Sequence, residues 1–338
     1  MDRIAILGGG SWGTALALLL ARKAPEQPIR LWVYEPDLAQ AMRERRINHV
    51  YLPGFELPPN VAIAGDPRAA VENATLVVGA MPSAHARHVY SAALARIGLA
   101  GAGPLPAFVS ATKGIEIERL ARMSQVIEEV AAPRAPRVAV LSGPSFALET
   151  ARGDPIAVVA ASRDRDLAQS VQELFSSPVF RVYTSDDVVG VELGGSLKNI
   201  IAIAAGICVG LGFGHGTLAA LVTRGAAEMT RLACALGAQP RTLAGLSGIG
   251  DLVLTATGPL SRNRSVGVEL GRGRTLPEIL QSMRMVAEGV GTTAAAVELA
   301  RGAQVEMPIT EQMYAVLYQQ KSPREAIREL MLRKLKEE

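Results

Sequence analysis

The chain has 338 residues, 49% of them hydrophobic and 20% charged, which allows two packed cores and excludes a disordered or fibrous protein. The net charge of +3 would help an anionic ligand approach but falls far short of a nucleic-acid footprint, and the densest basic spot, Arg43-Glu44-Arg45-Arg46, reads as a solvated helix face. The two cysteines, Cys208 and Cys234, lie apart in apolar stretches and read as buried small side chains in a reducing compartment, with no disulfide framework and no metal site.

The first strand, over 3–7, begins at once, with no positive-then-apolar leader, so a cytoplasmic protein is expected. It runs into Gly8-Gly9-Gly10-Ser11-Trp12-Gly13, which fits G-x-G-x-x-G, and then into a helical pattern over 14–24. Gly8 permits the tight turn, Gly10 lets the backbone approach a pyrophosphate, and Gly13 lets the helix pack close to the strand. The helix N-terminus then turns its free N–H groups toward the phosphates. A second strand over 29–34 ends at Glu35, near the spacing expected of the carboxylate that binds the adenine ribose. That carboxylate would repel a 2′-phosphate and so favours NAD over NADP, although Arg43, Arg45 or Arg46 could fold back to offset it.

Helical patterns over 36–44, 84–97 and 119–131 alternate with strands over 76–80, 107–110, 138–141 and 157–160, the signature of a mostly parallel sheet covered on both faces. Strands near Val158 and Val182 could pair antiparallel at an edge, and spacing does not decide it. Lys113, in Ser110-Ala111-Thr112-Lys113-Gly114, falls at the carboxyl end of a strand, where such sheets bind ligands, and it could equally be an ordinary loop lysine. Ser142-Gly143-Pro144-Ser145 follows the next strand as a ligand loop or a plain turn.

After about residue 187 only helical patterns remain, over 188–209, 217–236, 242–246, 261–270, 275–282, 292–301, 310–318 and 322–336. Thr275 with Glu278 and Ser322 with Glu325 have capping-box spacing. The expected organisation is a Rossmann-type α/β domain over 1–187 and an all-helical domain over 188–338. The apolar stretch 200–213 is too short and glycine-rich for a bilayer span and reads as a buried helix.

Lys198 is the most informative residue in this half. It is the only formally charged side chain between Leu193 and Thr223. Burying an ammonium is costly, and desolvation would bring its pKa toward neutrality, where it could exchange a proton. The alternative is a helix-end lysine that snorkels to solvent. Gly250-Asp251-Leu252-Val253 places one carboxylate in an apolar loop, to hold Lys198 or to cap a helix. Leu260-Ser261-Arg262-Asn263-Arg264 opens a helix with groups suited to a phosphate.

With these segments stand Tyr51-Leu52-Pro53-Gly54, Pro82-Ser83, Leu141-Ser142-Gly143-Pro144-Ser145-Phe146-Ala147, Val191-Glu192-Leu193-Gly194-Gly195-Ser196-Leu197-Lys198-Asn199, Glu288-Gly289 and Met307-Pro308-Ile309-Thr310. Together they resemble the bacterial form of the NAD(P)-dependent glycerol-3-phosphate dehydrogenase family, nearly end to end. The resemblance implies that Lys198 is the acid/base, with Lys113 and Asp251 in the same catalytic group. It implies a substrate lined by Lys113, Gly143, Ser145, Lys198, Asn199, Asp251, Ser261, Arg262 and Asn263. It adds Ser11, Trp12, Tyr34, Lys113, Ala147, Arg262, Val286 and Glu288 to Gly8, Gly10, Gly13 and Glu35 around NAD or NADP. It also implies a homodimer, a small phosphorylated substrate and a link to phospholipid precursors. One segment departs from the family pattern: Gly212-Phe213-Gly214-His215-Gly216-Thr217-Leu218 lacks the usual acid, amide and base. The rival readings are a β-hydroxyacid-type dehydrogenase, which should not need the Ser261–Arg264 cluster, and a non-catalytic nicotinamide sensor, which should not need Lys113, Lys198 and Asp251 together.

Overall fold

The computed structural model describes residues 3–95, 105–335 and 337. Strands β1 (Ile4–Leu7), β2 (Ile29–Trp32), β3 (Ile47–Asn48), β4 (Leu52–Glu56), β5 (Val61–Ala64), β6 (Leu76–Gly79), β7 (Ala107–Ser110), β8 (Val138–Ser142), β9 (Ile156–Ala161) and β10 (Phe180–Ser185) all fall in the first part of the chain. Among the described residues, eight strands form one sheet in the order β10-β9-β8-β7-β6-β1-β2-β5, and β3 and β4 pair separately. The sheet is parallel from β5 to β8. β9 pairs antiparallel to β8, and β10 returns parallel to β9, which resolves the edge left open by spacing.

Helices α1 (Ser11–Lys23), α2 (Pro36–Arg45), α3 (Pro67–Val71), α4 (Ser83–Leu94), α5 (Met123–Ala131), α6 (Ala147–Arg152) and α7 (Arg165–Phe175) accompany the sheet. Strands such as Ile4-Ala5-Ile6-Leu7 are buried on both sides, so they read as continuous apolar runs rather than alternating ones. One core gathers Ile4, Ile6, Leu16, Leu31 and Val78; a second gathers Ala5, Leu7, Val77, Tyr90 and Phe108. α3, α6, α7, β3, β4 and β5 were not foreseen, being short or rich in polar residues. The helix expected over 119–131 begins only at Met123, because the chain before it closes a loop in which Ile115 bridges Arg122. The end of the helix expected over 84–97 and Lys336 lie outside the described residues.

The second part is helical: α8 (Val188–Gly210), α9 (His215–Ala235), α10 (Pro240–Leu243), a π-helical turn at Leu246–Gly250, α11 (Asp251–Thr257), α12 (Arg262–Gly271), α13 (Leu276–Ser282), α14 (Glu288–Gly302), α15 (Pro308–Tyr318) and α16 (Pro323–Met331). The capping box of Thr275 and Glu278 is formed, and Ser322 Oγ accepts from the Glu325 N–H at 3.1 Å. α8 has 23 residues and is long and apolar enough for a membrane span, contrary to the length argument made from 200–213, but 89% of its apolar window is buried inside the protein. Packing, not length, accounts for it. α12 lies closest against α8. A Cβ on Gly206 or Gly210 of α8 would run into the α12 backbone at Arg264 or Val268, and one on Gly267 or Gly271 of α12 would run into that of α8 at Ile203 or Ile207. Small residues four apart on both helices let the backbones touch. This close crossing fixes the N-terminus of α12 relative to Lys198 on α8.

Candidate active site between the sheet and the helical domain

A cleft of about 1100 Å³ runs from the Gly8–Trp12 turn past Lys113 to Lys198 and the start of α12. At its sheet end the turn is built as the motif requires. Gly8 has φ +121°, and a Cβ there would sit 2.7 Å from the Ala80 carbonyl carbon; a Cβ on Gly13 would collide with the Gly8 carbonyl oxygen. A Cβ on Gly10, in contrast, would meet no protein atom within 4 Å. Gly10 is also the N-cap of α1 and brings no side-chain acceptor to the helix end, which leaves the cradle suited to a dinucleotide pyrophosphate. Trp12 Nε1 is buried at this site without a hydrogen-bond partner. Gly10→Ala is therefore expected to keep its unfolding free energy within about 0.5 kcal/mol while cofactor affinity falls at least tenfold, about 1.4 kcal/mol. Gly13→Ala should lose stability as well. Urea unfolding beside fluorescence titration with NADH separates the two, and a Gly10→Ala protein that binds NADH normally would contradict this assignment of the cradle.

Glu35 follows β2 and its Oε1 accepts from the Tyr51 hydroxyl at 2.5 Å. That bond to a carboxylate pushes the Tyr51 hydroxyl up to about 12. Two of the three arginines that could offset Glu35 are engaged elsewhere: Arg43 donates to the Ile63 carbonyl at 3.1 Å, and Arg46 to the carbonyls of Leu57, Pro58 and Val61, while Arg45 is exposed at the end of α2. Tyr34 is 76% exposed and stands edge-on to Trp32 at the cleft. Ser11, Ala147, Val286 and Glu288 line the same cleft. Glu288 reaches back across it: Ser83 donates to Oε1 through its N–H at 2.9 Å and to Oε2 through its hydroxyl at 2.5 Å. Burial raises the Glu288 carboxyl above its usual range, against these hydrogen bonds.

The charged centre is a single carboxylate between two lysines. Asp251, fully buried at the start of α11, accepts from Lys198 Nζ at 2.6 Å on Oδ1 and from Lys113 Nζ at 2.7 Å on Oδ2. Lys113 also donates to the Gly143 carbonyl at 2.8 Å. Lys198 also donates to Thr255 Oγ1 at 2.6 Å, and that hydroxyl donates onward to the Asp251 carbonyl. Lys198 is 5% exposed and does not snorkel. Burial lowers its pKa to about 7; Asp251 opposes the shift, while Lys113 and Arg262 add to it. The centre thus carries more positive than negative charge and suits an anionic ligand.

Ser261 caps α12, its Oγ accepting from the Arg264 N–H at 3.2 Å. Arg262 at the first position of α12 lines the cleft. Asn263 is tied at both ends of its amide, donating to Asn199 Oδ1 at 2.9 Å and accepting from the Gly289 N–H at 2.9 Å, so it joins α8, α12 and α14. Ser145 lines the cleft with its hydroxyl donating to the Gly143 carbonyl at 3.0 Å. Most of the residues singled out in the sequence meet in this one cleft. Gly13, Gly143 and Asp251 stand just behind its wall. His215 and the 212–218 segment do not line it; Gly212 to Thr217 are exposed at the start of α9. Sequence reasoning gave no role to Thr255, Ser83 or Tyr51. Thr255 lies four residues after Asp251 on one face of α11, but 250–253 was expected as an apolar loop, so that helical pairing was not legible.

The protein-family profiles described as the N-terminus and C-terminus of NAD-dependent glycerol-3-phosphate dehydrogenase match residues 3–168 and 187–328. The chain belongs to the glycerol-3-phosphate dehydrogenase family. It is 55% identical over 335 residues to the glycerol-3-phosphate dehydrogenase [NAD(P)+] of Koribacter versatilis, covering 98% of each chain. It is 54% identical to the enzyme of that name from Citrifermentans bemidjiense, over 100% of this chain and 99% of the relative. The crystal structure of glycerol-3-phosphate dehydrogenase from Coxiella burnetii superposes with a TM-score of 0.92 at 39% identity, over 98% of this chain and 99% of that one. As a member of this family the chain is an NAD(P)-dependent oxidoreductase with a Rossmann-type domain and a helical domain.

Proposed function

We propose that the chain interconverts sn-glycerol 3-phosphate and dihydroxyacetone phosphate with a nicotinamide cofactor, and that Lys198 is the acid/base. The observation that carries this reading is the Asp251 carboxylate bridging two lysines beside the N-terminus of α12. The family match over the whole chain favours it over a carboxylate-specific dehydrogenase or a sensor.

The nicotinamide, when bound, supplies or accepts the hydride. This chain's residues do the rest. As dihydroxyacetone phosphate is reduced, negative charge grows on its carbonyl oxygen, and the Lys198 ammonium stabilises that charge and donates a proton. In oxidation neutral Lys198 takes the proton back. Asp251 keeps both lysines in place and offsets part of their mutual repulsion. Arg262 and the free N–H groups at the start of α12 hold the phosphate, and this remote binding orients the reacting carbon. Gly8, Gly10, Ser11, Trp12 and Gly13 would hold the pyrophosphate, with Tyr34, Glu35, Lys113, Ala147, Arg262, Val286 and Glu288 along the rest of the cofactor. Gly143, Ser145, Asn199, Ser261 and Asn263 shape the substrate end.

Glu35, held by Tyr51, favours NAD over NADP. Residues 1–187 form the cofactor domain and 188–338 the substrate domain. The enzyme works in the cytoplasm as a homodimer and supplies glycerol 3-phosphate for glycerophospholipid synthesis. The test is the initial rate of reduced-cofactor oxidation with dihydroxyacetone phosphate, NADH and NADPH side by side. Turnover that is faster with NADH is expected, and Glu35→Gln should narrow the difference. Cofactor binding with no turnover would overturn the substrate assignment; faster turnover with NADPH would overturn the argument from Glu35.

A further inference from the structure

Lys113 and Lys198 reach one carboxylate from opposite sides of the cleft, so their spacing depends on how the sheet domain and α8 are held together. A second buried carboxylate does this holding. Glu192 lies on α8 six residues before Lys198, about 9 Å along the helix axis. Its side chain is 4% exposed. Ser124 donates to it twice, from its N–H to Oε1 at 2.7 Å and from its hydroxyl to Oε2 at 2.7 Å, and Arg122 Nη1 also donates to Oε2. Both donors sit at the first turn of α5, where Arg122 is itself fixed by the Gln125 side chain accepting from its N–H at 3.0 Å.

The connection from β7 to α5 carries Lys113 at one end and these donors at the other. It is short-circuited in the middle: Ile115 pairs with Arg122 as an antiparallel bridge, and the Glu116 N–H donates to the Ala121 carbonyl at 2.9 Å. Arg122 is thereby only Ile115 and Gly114 away from Lys113. The contacts close a ring: Lys198 along α8 to Glu192, across to Arg122, over the bridge to Ile115, back to Lys113, and through Asp251 to Lys198. Every link is covalent, hydrogen-bonded or ionic.

We propose that Glu192 is a positioning residue for the acid/base, clamping α8 to the β7–α5 connection so that Lys198 and Lys113 stay at a spacing one carboxylate can bridge. This rests on the reading of Lys198 given above. A buried ion pair is a poor device for stability alone, because desolvation offsets its attraction. It is directional, however, and misplacing a reacting group by about 1 Å can cost ~10² in rate. Lys198 is faced by Asp251, Lys113 and Arg262, and Glu192 by Arg122 and, at longer range, the Tyr90 hydroxyl, so loosening the clamp acts on Lys198 through its burial and its distance to Lys113.

The test uses the full chain with Glu192→Gln and, as a milder change that keeps the ion pair, Ser124→Ala. With only six lysines in the sequence, NMR of lysine labelled at Cε and Nζ can follow Lys198 directly as pH is varied. Glu192→Gln is expected to move the Lys198 titration away from its wild-type position, because the burial of Lys198 and its distances to Asp251 and Lys113 change. It should lower kcat about tenfold or more while the NADH dissociation constant stays within about threefold. Ser124→Ala should shift both in the same direction by less. Wild-type Lys198 titration and wild-type kcat in Glu192→Gln, even with a lower melting temperature, would overturn the proposal and leave the pair purely structural. Should Glu192→Gln not fold, wild-type values in Ser124→Ala overturn it. Failure of the wild-type protein to turn over dihydroxyacetone phosphate counts against the proposed function instead, and the titration still decides the clamp.

Discussion

Lys198→Ala is expected to keep the fold and cofactor binding while turnover falls at least ~10², the low end for a lost acid/base group. The fold should survive because the substitution removes a desolvated ammonium and leaves Asp251 its bond to Lys113. Cofactor affinity should survive because the glycine turn and Glu35 belong to the sheet domain. The loss should appear in kcat in both directions, since the proposed mechanism has the same nitrogen donate the proton in reduction and accept it in oxidation. Steady-state kinetics with NADH titration checks this, and near-wild-type turnover would remove Lys198 from the mechanism.

Asp251→Asn is expected to have the largest effect on stability. It leaves two lysines facing each other without an anion, and breaking a buried pair in this way costs about 3–5 kcal/mol. The pH dependence has a definite sign. Lys198 already titrates near 7 in the folded chain, below its ordinary value of 10.5. Between those values the unfolded chain holds more protons, so stability rises with pH. Without Asp251 the folded pKa drops further, because the carboxylate was what opposed the shift. The extra penalty is then greatest in acid, where both proteins keep Lys198 charged, and it shrinks as pH rises toward about 7. Urea unfolding at pH 5 and pH 8 tests this: a deficit that is equal at both, or larger at pH 8, would contradict it. Reduction at neutral pH should fall as well, since less Lys198 carries a proton.

What the sequence made legible was local. The glycine turn is defined by neighbours within one strand–turn–helix, and Lys198 stands out because its own helix is otherwise uncharged. Glu35 was legible by spacing alone. What the sequence hid was long-range or weakly patterned. Ser83 and Glu288 are 205 positions apart and Arg122 and Glu192 are 70 apart, so no periodicity links them. The double use of Asp251 was only partly legible: the family resemblance grouped Lys113 with Lys198 and Asp251, but no spacing in the chain gave the two lysines one oxygen each. Asn263 was expected as a substrate contact, and its amide turns out to be held by Asn199 and Gly289. The segment around His215 lacks the acid, amide and base of the family pattern. It lies on the exposed start of α9, away from the cleft.

In the proposed mechanism one buried lysine, held near neutrality by burial and by its neighbours, moves the proton in both directions. The most direct test of this is the pH dependence of kcat in each direction for the wild-type chain and Lys198→Ala. Oxidation of glycerol 3-phosphate should rise and reduction of dihydroxyacetone phosphate should fall through pH about 7, with both limbs absent from the variant's residual rate. Limbs that persist unchanged in Lys198→Ala would show that another group carries the proton.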